Sequence, residues 1–329
     1  DGLLAPHQLV RSRWRCRRDS QLDAFLAWGR KPSGPWAEAL AQQRGLPLWR
    51  WEDGFLRSLG SAAEEPALSL VLDRQGIYYD ATRPSELDGL LPQRLSEEQR
   101  LRATAVQQQW RQNRLSKVNN AQESPAPSEP FVLVVDQTPG DLSLIWGQAS
   151  TDAFAAALQA ALANHPGRTV VVKVHPDVVA AGGAGHFSAD QLADARIRLC
   201  ADGGHPTALL EQAEAVYVVT SQLGFEALLW GKPVHCFGQP FYAGWGLSDD
   251  VLHCPRRGRP LQLDELVYGA LIHYPSYLCQ RSGGLISPEQ ALLQLLALKK
   301  QGPPQLSIKQ KLHSRWRPML ETVEAWWRR

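Results

Sequence analysis

Short apolar runs alternate with amphipathic stretches along most of the chain, and the alternation divides it into two units. Between residues 24 and 91, AFLAWG, LPLWRW and LSLVLD read as strands, with a helix over residues 36–44 between the first two, so a small α/β unit is expected. Asp73-Arg74-Gln75-Gly76, set between LSLVL and IYYD, has the composition of a hairpin turn and predicts a partly antiparallel sheet. A polar helix over residues 96–114 leads into NNAQESPAPSEP, residues 119–130, whose prolines and missing periodicity mark an interdomain linker. Residues 131–135, 169–174, 216–219 and 234–237 are then almost wholly apolar and alternate with helices over residues 151–164 and 222–230. That arrangement predicts a buried parallel sheet. Beyond Pro260 the pattern turns helical, over residues 263–274, 287–298 and a C-terminal segment. Domains are expected at 1–128, 129–280 and 281–329, the last a helical tail able to cross back.

Composition narrows the class without naming a function. The chain has 329 residues, 44% hydrophobic and 21% charged, enough for two globular domains. A net charge of +2, from 35 basic and 33 acidic residues, argues against a nucleic-acid binder. Five cysteines without a CxxC pair speak against a disulfide framework or a structural zinc site and fit a reducing cytoplasm. No apolar run reaches transmembrane length, no signal peptide is apparent, and Asp1 in place of Met points to a piece of a longer product. The charge is uneven, however. Residues 11–18 hold five arginines, and Trp14, Trp316, Trp326 and Trp327 sit in basic contexts. Trp316, Leu320, Val323 and Trp327 share one helical face of a basic tail, residues 309–329. That face either packs on the protein or rests on an anionic cytoplasmic leaflet.

Candidate chemistry gathers at the strand ends, where α/β folds bind ligands. Thr220 and Ser221 close the strand 216–219 and open a helix whose free N–H groups suit a phosphate, although an ordinary cap reads the same way. Glu52 and Asp53 follow an apolar segment and could supply a general acid or base, or form only an acidic turn before Gly54. Asp136, Asp141 and Ser143 follow the first strand of the second unit. One of the two aspartates caps the turn, and Asp136 is the expected one. Lys173 and His175, two apart at a strand terminus before Pro176, could reach one anion. HExxH, Walker A and GxGxxG motifs do not occur.

Together, WGRKPS, EDGFLRS, LSLVLDRQGIYYDATRPSEL, VLVVDQTPGDLS, VKVHPDV and VTSQLGFEALLWGKPVHCFGQPFYAGWGLSDD resemble the KpsC family. These are bacterial β-Kdo transferases that build the oligo-Kdo linker of capsular polysaccharides, Kdo being an acidic ketose. DQ…D, KVHP and VTSQLGFEAL are similar to the amino-terminal type of module in a family that commonly carries two in tandem. The resemblance implies an α/β GT-B glycosyltransferase fold, two Rossmann-like domains facing a cleft, with CMP-Kdo as donor, a Kdo-bearing lipid as acceptor, retention of configuration and no metal or other cofactor. The cysteines set the expected location as the cytoplasm, and the basic tail, in the reading where it rests on a membrane rather than on the protein, as peripheral on the inner face of the inner membrane. The resemblance assigns the nucleotide to Lys173, His175, Thr220, Ser221, Gln222, Glu226 and Ser143, and the catalytic carboxylates to Asp141, Glu52 and Asp53. A match to the Asp-x-Ser of bacterial CMP-sialic acid transferases selects Asp141 over Asp136. Arg57 is expected at the Kdo carboxylate, and Gln239, Tyr242 and Trp245 at the pocket wall. A CMP-sialic acid transferase and a silent assembly module are the rival readings.

Overall fold

Alternation in the apolar strands sorts their side chains into two layers. Val132, Val134, Val170, Val172, Tyr217 and Val219 belong to one hydrophobic cluster, whereas Phe131, Leu133, Val135, Val171, Val216 and Val218 belong to another. A strand that is apolar on both faces is stable only between two covering layers, each fully buried aliphatic side chain contributing roughly 1.5–3 kcal/mol. The computed structural model describes residues 22–31, 34–60, 67–175, 178 and 185–301. The arginine-rich segment 11–18 and the basic tail 309–329, with Trp14, Trp316, Trp326 and Trp327, lie outside the described residues.

The second lobe holds β4 (Phe131–Val135), β5 (Thr169–Lys173), β6 (Ile197–Cys200), β7 (Val216–Val218), β8 (Val234–Cys236) and β9 (Asp249–Asp250). All its pairings are parallel, in the order β6-β5-β4-β7-β8-β9. The order reverses between β4 and β7, the position at which doubly wound sheets open a ligand crevice beyond the strand ends.

The first lobe departs from that plan. It contains β1 (Phe25–Trp28), α1 (Gly34–Arg44), β2 (Leu48–Asp53), β3 (Ser69–Asp73), α2 (Glu86–Leu90) and α3 (Glu97–Gln112). Its sheet runs β1-β2-β3 and then β10 (Pro275–Leu278) and β11 (Leu285–Ile286), and only β1 and β2 are parallel. The expected hairpin at residues 73–76 is absent. Asp73 Oδ1 instead accepts from the amides of Gln75 and Gly76, and its Oδ2 accepts from Glu86 N and the Tyr274 hydroxyl, so the chain turns into α2 rather than into a strand.

The antiparallel partner comes from the far end of the chain. α8 (Leu263–Val267) continues as a π-helix over Tyr268–His273 and delivers β10 (Pro275–Leu278), which pairs with β3. β11 (Leu285–Ile286) follows, then α9 (Pro288–Gln301), whose Ala291, Leu292 and Leu295 join the cluster that includes Leu56 and Trp110. The expected boundary at residue 280 is therefore corrected: β10 belongs to the first lobe, and the segment after it begins as part of that lobe rather than as a separate tail.

Two further connections hold the lobes together. Residues 119–130 are irregular, as expected of a linker, yet pinned: Asn119 N donates to Leu59 O at 2.8 Å, and Ser124 N donates to His205 O at 2.9 Å. Phe55 of the first lobe packs 4.4 Å from Phe241 and 5.9 Å from Phe225 between ring centroids, inside one cluster that spans both lobes.

Candidate functional site

A cavity of about 670 Å³ opens between the lobes, at the carboxyl ends of β2, β4, β5 and β7. Its size falls within the ~300–1,000 Å³ usual for small-molecule sites. On the second-lobe side it is organised by Gln137, directly past β4. The Gln137 Oε1 accepts from Thr220 N at 2.9 Å, and its Nε2 donates to Ser143 Oγ at 3.2 Å, so one amide spans the reversal point of the sheet. Asp141 is the N-cap of α4 (Leu142–Trp146), its Oδ1 accepting from Ser143 N at 2.8 Å. The capping role expected of Asp136 thus falls to Asp141. Asp136 is buried, accepts from His186 Nδ1 at 2.8 Å, and has an Oδ2 with no hydrogen-bond partner among the described residues. Gly185, at φ +69°, leaves that oxygen its space, which a Cβ would occupy.

Ser221 caps α7 (Gln222–Leu229), accepting from Leu223 N at 3.2 Å, and presents the helix N-terminus to the cavity. β5 ends at Lys173, so strand alternation does not carry through to His175. Lys173 is buried, with Nζ donating to Ser124 Oγ at 3.1 Å and Gly204 O at 2.9 Å, while His175 Nδ1 lies 3.1 Å from Thr138 Oγ1. Both still line the cavity.

The first-lobe wall carries Glu52. Its Oε1 accepts from Trp28 Nε1 at 2.7 Å and Asp53 N at 3.1 Å, and its Oε2 lies 3.4 Å from the donating Tyr79 hydroxyl. Burial pushes the Glu52 pKa above the usual glutamate value, against the opposing pull of these N–H groups and of Lys117. Gly29, at φ +41°, permits the approach, because a Cβ there would stand 2.5 Å from Glu52 Oε2. The half-buried Tyr78 on the cavity wall has its pKa held well above the ordinary tyrosine value by burial and then by the fields of Glu52, Tyr79, Asp53 and Asp141, so carboxylates from both lobes act on one phenol.

Several expected residues take other roles. Asp53 binds Arg57, Nε to Oδ2 at 2.8 Å, and Arg57 Nη1 donates to Ser58 Oγ at 2.7 Å; Arg57 lines the cavity as a buried, committed guanidinium. Gln222 Nε2 donates across the lobes to Phe55 O at 2.7 Å. Glu226 reaches the cavity wall but is wholly buried, its Oε1 accepting from Lys117 N at 3.1 Å and its Oε2 unpartnered among the described residues. Burial raises its pKa to about 7. Gln239, Tyr242 and Trp245 do not line the cavity. They are buried and bonded to His253 O, Ser221 O and Phe241 O respectively, the two aromatic side chains gaining most by full burial and the Gln239 amide held by its hydrogen bond, and it is Pro240 and Phe241 of their loop that reach the cavity. Sequence reasoning missed Gln137 and Lys117. The first carried a signal in its place directly after an apolar strand; the second, in an irregular stretch, carried none.

No group of three or more His, Cys, Asp or Glu side chains that could hold a metal ion occurs among the described residues. Nor is any of their helices long and apolar enough to cross a membrane.

Two α/β lobes, a parallel Rossmann-ordered sheet in one and a ligand-sized cleft between them, define the GT-B class of architecture. Residues 23–105 and 93–283 match the family described as capsule polysaccharide biosynthesis protein, and the chain belongs to that family. It is similar to the solved KpsC β-Kdo 2,4 transferase of Thermosulfurimonas dismutans, with 38% identity, a TM-score of 0.78, and 84% of this chain and 87% of that one covered. The KpsC β-Kdo 2,7 transferase of the same organism is 32% identical at a TM-score of 0.69, covering 88% and 91%. The capsule polysaccharide modification protein LipA of Neisseria meningitidis serogroup B is 39% identical over 286 residues, 82% of this chain. The chain spans only 40% of the length of LipA.

Proposed function

We propose that the cleft transfers Kdo from CMP-Kdo to a Kdo-terminated glycolipid, with retention of configuration, in building the linker of a capsular polysaccharide. The observation that carries this reading is the meeting of Asp141 and Glu52, from opposite lobes, in one cavity whose second-lobe wall carries His175, Lys173 and the N-terminus of α7. The 38% identity to a β-Kdo transferase module supports the sugar assignment. The CMP phosphate lies against His175 and the N-terminus of α7, with Lys173, held by Ser124 and Gly204, contributing only the field of its ammonium, so N–H groups and positive charge stabilise the departing nucleotide without help from a metal.

An Asp141 carboxylate oxygen attacks the anomeric carbon, and the bond from that carbon to the phosphate oxygen breaks with its electron pair leaving on CMP. The acceptor hydroxyl then attacks the same carbon, the bond to Asp141 breaks, and Glu52 takes the hydroxyl proton. Two inversions retain the configuration. A pKa raised by burial makes the Glu52 carboxylate a stronger base than an exposed glutamate.

The test is a transfer assay with CMP-Kdo and a Kdo-terminated lipid, run on the wild type and Asp141→Ala. Wild-type turnover to a β-linked product, lost in the variant while CMP still binds, is the expected result. An inverted anomer, or near-normal turnover by folded Asp141→Ala, would refute the mechanism.

A further inference from the structure

Lys117 lies in the irregular connection between the lobes, and its backbone is clamped from both sides. Its amide donates to Glu226 Oε1 on α7 at 3.1 Å, while its carbonyl accepts from Arg57 N at 3.0 Å and Ser58 N at 3.3 Å. Lys117 lines the same cavity as Glu52 and Asn120. The field of its ammonium opposes the burial-driven rise in the pKa of both Glu52 and Glu226, so the charge acts across the cleft on carboxyls of both lobes. Among the described residues the ammonium makes no hydrogen bond and no ion pair.

The other long cations of the cavity are committed. Arg57 holds Asp53 and Ser58, and Lys173 holds Ser124 and Gly204. To bind an anion, a committed cation must give up existing bonds, whereas an unpaired ammonium need not. A nucleotide-linked ulosonic acid presents two anionic centres, a phosphodiester and a carboxylate borne on the anomeric carbon. With the phosphate on the second-lobe wall, the carboxylate is left needing a cation near the acid–base residue. We infer that Lys117 binds the anomeric carboxylate of the donor sugar and thereby selects acidic sugars over neutral ones. The inference rests on the donor class proposed above and moves to Lys117 the role expected of Arg57.

The experiment compares wild type, Lys117→Gln and Lys117→Arg in steady-state transfer from CMP-Kdo, with CMP binding measured by calorimetry on the same preparations. Lys117→Gln should lower kcat/KM about 10- to 100-fold, mainly through KM, with CMP affinity unchanged within about twofold, and Lys117→Arg should recover most of the loss. Unchanged kcat/KM in Lys117→Gln overturns the inference. So does an equal loss of CMP affinity, which would put Lys117 at the phosphate. An acidic limb of the pH–rate profile moved upward with KM unaltered also overturns it, because Lys117 would then act only on Glu52. A wild type that turns over neither CMP-Kdo nor CMP-sialic acid fails on the donor class itself, and that failure is visible before any variant is compared.

Discussion

Glu226 offers the sharpest thermodynamic test of this architecture. It is wholly buried where α7 meets the connection between the lobes, and replacing it with Gln keeps the acceptor oxygen that receives Lys117 N while removing the ionisable proton. The gap between its pKa of about 7 and the ordinary glutamate value of 4.5 corresponds to about 3 kcal/mol. A carboxyl whose pKa is raised by folding stabilises the native state fully below about pH 4.5, and that contribution is lost as pH rises through about 7. Glu226→Gln has no such loss. Urea unfolding of both proteins at about pH 5 and about pH 8.5 should show the variant gaining about 2–3 kcal/mol on the wild type between the two conditions. Parallel stabilities across that range would mean that Glu226 is solvated or ion-paired in solution, and the buried contact between the lobes would have to be abandoned.

Three other outcomes are expected. Glu52→Gln should slow resolution of the covalent intermediate, so intact-protein mass spectrometry after incubation with CMP-Kdo should find a Kdo adduct that Asp141→Ala lacks; its absence in a slowed, folded Glu52→Gln argues against Asp141 as nucleophile. His175→Ala and Ser221→Ala should each weaken CMP binding by about 1–3 kcal/mol in calorimetry, and unchanged affinity in both would move the phosphate elsewhere. Transfer should persist in EDTA, and a reaction that EDTA stops and Mg²⁺ restores would contradict the proposed stabilisation of the leaving group by protein groups alone.

The second lobe was legible because its strands are too apolar to face water on either side. FVLVV, TVVVK and VYV could only be the interior of a layered sheet, and the polar residues that follow them had to fall at the strand ends. The returning strand was not legible. Pro275 directly follows a helical pattern, and nothing in Pro275–Leu278 announces a partner some two hundred residues earlier. Arg57 misled because a lone arginine in a loop looks available, whereas here it is spent on Asp53 four residues before it. Gln239, Tyr242 and Trp245 misled for the opposite reason: an aromatic, glycine-rich loop reads as a binding surface, but these side chains are the buried underside of one. Lys117 depends on a meeting of Arg57, Ser58 and Glu226 that no local pattern encodes.

The pairing of β3 with β10 also sets an order of events on the ribosome. Every strand of the second lobe lies between Phe131 and Asp250, so that sheet can close while the first is still missing a partner. At about 5–20 residues per second, β3 waits ~10–40 s between its own emergence and that of β10. During that interval Val71 and its neighbours form an unpaired edge in the nascent chain, and non-local pairing of this kind is slow and prone to aggregation. The polypeptide therefore passes through a stage with a finished sheet and an unfinished one, which is when a chaperone would be of most use to it.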